Sequence, residues 1–156
     1  MKDSGDNSSR CRIVVDAMGG DFAPVNAVLG AVEAYSENRG FDLYLVGKQS
    51  KIKEVLSSNN ITFPEEFVVN ADEVIEMADS PASSLKAKPN SSIVIGAQLV
   101  RDKKADAFVS AGNTGAMMAA STLIIGRISG LGRPTIGAEM PNVNGICYLY
   151  DVGASK

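Results

Sequence analysis

The sequence predicts an α/β fold: three layers, α/β/α, around a mostly parallel sheet, with an antiparallel hairpin at the C-terminal end. Three observations lead there. Short β-branched runs at residues 12–16, 42–46, 67–69 and 107–109 alternate with segments whose apolar residues recur at helical spacing. The strand-like runs break into turns rich in glycine, asparagine or aspartate, as strands feeding crossover helices do. Beyond Arg133 and Pro134 the rhythm changes, and residues 135–140 and 145–151 flank Pro141, Asn142, Val143 and Asn144 as two strands around a turn-rich loop.

Bulk properties bound the function. At 156 residues, 45% hydrophobic and 21% charged, the chain suits one globular domain with an ordinary core. A net charge of −3 gives no electrostatic footprint for nucleic acid. No apolar run approaches the length that spans a bilayer, and the polar first ten residues lack the apolar centre of a signal peptide. Residues 1–11 read as a disordered tail and 12–156 as one α/β unit. Cys11 and Cys147 stand singly and far apart, as reduced thiols of a cytoplasmic protein. Histidine is absent, which removes Ser–His–Asp and Cys–His nucleophile systems and the usual zinc ligand sets; no metal and no cofactor is expected.

Taken in order, residues 12–16 form a buried strand that ends in the turn Ala17-Met-Gly-Gly-Asp-Phe-Ala-Pro24. A helix follows with Val25, Val28, Leu29, Val32 and Tyr35 on one face; Pro24 suits its first turn, Asp21 its dipole, and Gly40 stops it. Residues 42–46 are the second strand, after which Ser50 caps a short helix carrying Ile52, Val55 and Leu56. Residues 67–69 make a weaker third strand. The segment from Asn70 to Ser92 shows little periodicity and reads as a long loop, with a turn or short strand at 73–77. Ser91 or Ser92 caps a helix through Ile93, Ala97 and Val100 that ends near Lys103 and Lys104. Residues 107–109 form a strand, Ser110 to Gly115 a small-residue turn, and the next helix, with Met117, Met118, Leu123, Ile124 and Ile125, is apolar nearly all round and ends near Gly126. Such a helix packs on the sheet or at a subunit interface.

In a parallel sheet, ligands bind beyond the carboxyl ends of the strands. Four breaks are expected to line up there: 16–21, the loop from Asn70, 110–115 and 151–155. The turn Ser110-Ala-Gly-Asn-Thr-Gly115 combines backbone N–H groups at a helix start, glycines that admit a close ligand at Gly112 and Gly115, and polar side chains at Asn113 and Thr114. It reads as an anion cradle, and equally as a plain strand-to-helix connection. Asp16 binds a ligand or caps the next helix; Lys86 and Lys88, beside Ser83 and Ser84, recognise phosphate or are solvated. Neither G-x-G-x-x-G nor G-x-x-x-x-G-K-[ST] occurs, so dinucleotide and P-loop readings have no support.

With these stretches assembled, the sequence resembles the bacterial phosphate acyltransferase family. The resemblance rests on Val15-Asp-Ala-Met-Gly-Gly-Asp21 with Ala23-Pro24, on Glu73-Val-Ile-Glu-Met77 and on Val109-Ser-Ala-Gly-Asn-Thr-Gly-Ala116. It continues at Gly126-Arg127, Arg133-Pro134 and Asp151-Val-Gly-Ala154. Phe22 stands where the family commonly has His, and Ser155 where it has Asn. Family members are about twice as long, so the chain corresponds to the N-terminal part of one acyltransferase domain. The resemblance implies an isocitrate dehydrogenase/phosphotransacylase-like fold and a transferase of lipid metabolism. It implies formation of acyl phosphate from acyl-[acyl-carrier protein] and inorganic phosphate for phospholipid synthesis. It further implies a cytoplasmic homodimer with peripheral association at the inner membrane face, the missing half supplying most dimer contacts and the membrane-linked helices.

Direct attack of phosphate on a thioester needs little acid–base help. Phosphate is largely dianionic at neutral pH, with a second pKa of about 6, and the leaving thiol has a pKa of about 8.5. The site then needs a cradle and an oxyanion donor, the latter worth about 2.7–4 kcal/mol. The expected assignment gives Ser110, Gly112, Thr114 and Gly115 the phosphate, with Gly19, Gly20 and Lys86 bordering it. Asn113 and Asp16 take the catalytic roles. Two other readings stay open: a phosphotransacylase using acyl-coenzyme A, and a non-catalytic phosphate-binding or oligomerising α/β module. An uncovered sheet edge and apolar face predict self-association.

Overall fold

A computed structural model describes residues 10–151. Four parallel strands form one sheet in the order β3-β2-β1-β4: β1 (Cys11–Asp16), β2 (Phe41–Gly47), β3 (Val68–Asn70) and β4 (Ala107–Val109). β1 pairs with β2 over its whole length, from Cys11 opposite Phe41 to Asp16 opposite Val46, and on its other side with β4, where Val15 faces Val109. The chain therefore runs from β1 outward to β3 in one direction, then returns to place β4 on the opposite side of β1. The crevice between the carboxyl ends of β1 and β4 is the switch point where open α/β sheets hold ligands.

Helices cover both faces. α1 (Val25–Glu37) and α2 (Gln49–Ser58) pack one side, where Val28, Leu43, Leu45 and Ile52 are fully buried. Val25, expected on that buried face, is exposed at the helix start. The other side is covered by α4 (Ser92–Arg101), whose Ile95, Leu99 and Val100 pack on Val14, Val46 and Ala105. Ser91 caps α4 by accepting from the Val94 N–H, as expected. α4 ends at Arg101, two residues short of Lys103.

The sequence expectations differ from the structure at several places. Ser50 does not cap α2: it lies in the first turn, Lys48 is the cap position without a side-chain bond, and the open Gln49 N–H goes to Asn70 Oδ1 at the end of β3. Asn38 rather than Gly40 closes α1, its Oδ1 receiving the Gly40 N–H. The 70–92 segment is not a bare loop. Glu73 bridges to Ser91, and α3 (Pro81–Ala87) forms with proline at its first position. That helix, α4 and α5 (Thr114–Ala120) share a second core of Ile75, Leu85, Ile93, Val94, Ala116 and Ala120.

α5 thus packs on α3 and α4 rather than across the open face of β4. It continues as a π turn, Ser121–Ile125, within which the Thr122 hydroxyl donates to the Met118 carbonyl, and stops at Gly126 with φ +100°. Its apolar side chains are not all buried within the chain: Leu123 is 65% exposed. β5 (Gly137–Asn142) and β6 (Gly145–Tyr150) make the expected antiparallel hairpin as a separate two-stranded sheet. Ile146, Leu149 and both of its tyrosines are exposed. Asp151 follows this hairpin rather than a strand of the parallel sheet; the rest of the 151–155 break lies outside the described residues. Cys11 opens β1 and Arg10 pairs with Asp42, both ahead of the expected boundary at residue 12. Both cysteines are free. Among the described residues, no helix is long and apolar enough to cross a membrane.

Candidate functional site

The two turns at the switch point are locked together. Asp16, the last residue of β1, is 2% exposed. Its Oδ1 accepts from the Met18 N–H at 2.9 Å, and its Oδ2 accepts from the Ser110 hydroxyl at 2.8 Å. With that proton committed to Asp16, Ser110 Oγ accepts from the Gly112 N–H at 3.2 Å. Asp16 is therefore neither a cap for α1, which starts nine residues further on, nor an isolated ligand. It is the link from β1 to the β4 turn.

Backbone contact completes the lock. A Cβ on Gly19 would lie 2.7 Å from Ser110 Oγ and 2.8 Å from both Asp16 Oδ2 and the Gly112 nitrogen. A Cβ on Gly112 would lie 2.6 Å from the Gly19 Cα. Only two glycines let the turns approach this closely. Gly20, with φ +92°, adopts a conformation that disfavours any side chain.

Asn113 is the second anchor. Its Oδ1 accepts from the Ala116 N–H at 3.0 Å, capping α5. Its Nδ2 donates to the carbonyls of Glu76 and Asp79 at 2.9 and 3.2 Å, and its own N–H is directed at Met77 Sδ at 3.0 Å. The 76–79 segment is fixed in turn by Lys88, which pairs with Asp79 and donates to the Val74 carbonyl. The bond from Lys88, followed by that from the Glu76 N–H, holds the Asp79 carboxyl below its ordinary pKa.

The catalytic assignment expected for Asn113 meets a physical obstacle here. Both carboxamide hydrogens are spent on carbonyls, so this side chain shapes the turn rather than offering a donor to an oxyanion. Lys86 is not brought to the turn either. It is exposed in the last turn of α3, whereas the opposite end of that helix, Pro81, touches Gly115; a Cβ on Gly115 would lie 2.6 Å from Pro81 Cγ. Gly19, Gly20, Asp16, Ser110, Gly112 and Asn113 are the expected residues that do converge. Glu76, Met77, Asp79 and Lys88 as partners of the turn escaped sequence reasoning, although Ser80-Pro81 ahead of a helix was an available start signal.

What remains open to a ligand lies on the outer side of the turn. The N–H groups of Thr114 and Gly115, at the first two positions of α5, have no carbonyl within the helix to receive them. Thr114 is exposed beside a shallow hollow of about 510 Å³ bordered by residues 108–112 and Met117. Neutral donors and a hydroxyl can orient an anion here without neutralising it.

Comparison with known proteins agrees with this architecture. A family model described as fatty acid synthesis protein matches residues 11–156. The phosphate acyltransferase of Syntrophomonas wolfei is 46% identical over 145 residues, covering 92% of this chain and 45% of that protein. The phosphate acyltransferase of Chlorobaculum parvum is 48% identical, covering 92% of this chain and 42% of its own length. The chain spans less than half the length of these relatives. A phosphotransacetylase from Streptococcus pyogenes superposes with a TM-score of 0.63 at 18% identity, covering 88% of this chain and 44% of its own, and shares the fold.

Proposed function

The chain belongs to the fatty acid synthesis protein family, and from that premise we propose that it carries the phosphate-binding part of a phosphate acyltransferase. The observation that supports this most is the Asp16–Ser110–Gly112 link at the β1/β4 switch point. It fixes the turn, while the Thr114 and Gly115 N–H groups take no partner among the described residues.

In the proposed reaction a phosphate oxygen attacks the carbonyl carbon of a thioester. A C–O bond forms, the C–S bond breaks, and the proton carried by phosphate ends on the departing thiol. The Thr114 and Gly115 N–H groups and the Thr114 hydroxyl hold phosphate as an anion. Asp16 and Ser110 position the turn, and Asn113 keeps α5 and the 76–79 segment in place. Acyl-[acyl-carrier protein] is the proposed donor and phospholipid synthesis the proposed use, in keeping with the family's description. The proposed setting is the cytoplasm beside the inner membrane face. The exposed apolar side chains of the β5–β6 hairpin favour a homo-oligomer.

The test is phosphate titration of the chain followed by backbone amide NMR, with acyl-phosphate formation assayed from acyl-carrier-protein and coenzyme A thioesters. Saturable shifts at Thr114 and Gly115 are expected, and turnover, where present, should favour the carrier-protein donor. Absence of any phosphate-dependent shift in the 110–116 turn sinks the proposal.

A further inference from the structure

Directly behind the turn, on the face of the sheet that α5 leaves open, a groove of about 400 Å³ runs between α1 and strands β1 and β4. Its floor is Ile13, Val15 and Val109, and its α1 wall is Ala27, Gly30, Ala31 and Ala34, residues too small to fill the space between helix and sheet. A Cβ on Gly30 would meet nothing within 4 Å. Asp16, Ser110 and Ala111 close the end at the strand carboxyl termini, and Phe41 lies toward the other. Val109, Ser110 and Ala111 also border the hollow beside Thr114, so an apolar channel and an anion-facing hollow share one wall. The volume falls in the range of pockets for small organic ligands.

We infer that this groove receives the unbranched acyl chain of the thioester and of the acyl phosphate formed from it, tail under α1 and reacting carbonyl at Ser110 and Ala111. The inference rests on the phosphate reading above, and the occupant follows from continuity: the ligand joining the two spaces has an anionic head and an apolar tail. From Ala27 to Ala34 the wall extends about 10 Å, so α1 acts as a ruler. A bulky residue at Gly30 blocks the groove midway, and one at Ala34 blocks only its far end.

Binding of inorganic, ethyl, hexyl and dodecyl phosphate, each below its micelle concentration, tests this by calorimetry and by methyl NMR of Ile13, Val15 and Val109. Dodecyl phosphate is expected to bind at least tenfold tighter than ethyl phosphate and to shift those methyls. Gly30→Leu, which suits a helix better than glycine, should erase the gain for hexyl and dodecyl phosphate while leaving inorganic phosphate unchanged. Ala34→Leu should erase only the gain of dodecyl over hexyl phosphate. Affinity independent of chain length, or a gain that survives Gly30→Leu, overturns the groove assignment. So does a change of oligomeric state in Gly30→Leu, which would show a second copy seated there. Loss of inorganic phosphate binding with chain-length dependence intact instead removes the phosphate reading and leaves the groove as an acyl site.

Discussion

Gly112 and Gly19 meet main chain to main chain: a methyl group on Gly112 would sit 2.6 Å from the Gly19 Cα and 2.7 Å from the Gly20 nitrogen. No rotamer change relieves such a contact, so any side chain at 112 forces the β1 and β4 turns apart. Gly112→Ala is expected to destabilise the chain by about 1–3 kcal/mol, as overpacking does, and to abolish phosphate-dependent shifts at Thr114. Gly132→Ala, where a Cβ meets nothing within 4 Å, is the control and should stay within about 0.5 kcal/mol. Urea unfolding of both variants decides it.

Ser110 both donates to Asp16 and accepts from Gly112. Ser110→Ala leaves a buried carboxylate oxygen and a buried N–H without partners, at a cost of about 1–3 kcal/mol. A double-mutant cycle with Asp16→Asn should show coupling of at least about 0.5 kcal/mol. Strict additivity would mean the link contributes nothing to holding the turns together.

Asn113 serves two elements through different atoms. Asn113→Asp keeps the Oδ1 acceptor for the Ala116 N–H but turns a carboxylate toward the carbonyls of Glu76 and Asp79. A loss of about 1–3 kcal/mol is expected despite the intact cap, with faster amide exchange at residues 76–79 and unchanged exchange in the middle of α5. Wild-type exchange at 76–79 would show that the carbonyl bonds are dispensable.

At the foot of the same two strands, Arg12 binds Asp106 through its backbone N–H, Nε and Nη2, at 2.8, 3.0 and 2.9 Å. The bond from the Arg12 side chain, then that from its N–H, lowers the Asp106 pKa from 3.8 to about 2. A depressed folded-state pKa means the contribution to stability is complete above the unfolded value and disappears as pH falls through the folded one. Stability should therefore decline from pH 3.8 toward about 2, and Asp106→Asn should flatten that part of the curve. Carboxyl NMR titration reads the pKa directly; an ordinary value at Asp106 would contradict the clamp.

The elements that were legible in the sequence carried their own local signal. Val14 and Val15, or Leu45 and Val46, lie in β-branched or apolar runs too short for helices, and Ser91 announces α4 by its place before an apolar stretch. α3 was hidden because seven residues give too little periodicity to register, although Pro81 marks its start and Pro89 follows its end. Asp16 was visible as a polar residue closing a strand, but its role depends on Ser110, which no local pattern connects to it. Asn113 was singled out for its chemistry, yet the carbonyls that occupy it belong to a segment read as loop. Nothing about Met77 in sequence announces a sulfur facing the Asn113 N–H.

The pairing of β1 with β4 also sets an order of events during synthesis. Asp16 and Ser110 are 94 positions apart, as are Arg12 and Asp106. A growing chain can pair β1 with β2 and β3 and bury the face under α1 and α2 well before β4 exists. Closing a loop of that length costs entropy that no local contact offsets in advance, and high contact order slows the final step. The 110–115 turn consequently forms later than the β1–β2–β3 part of the sheet. Until it does, β1 presents a bare edge, and that interval is when the nascent chain is most exposed to mispairing.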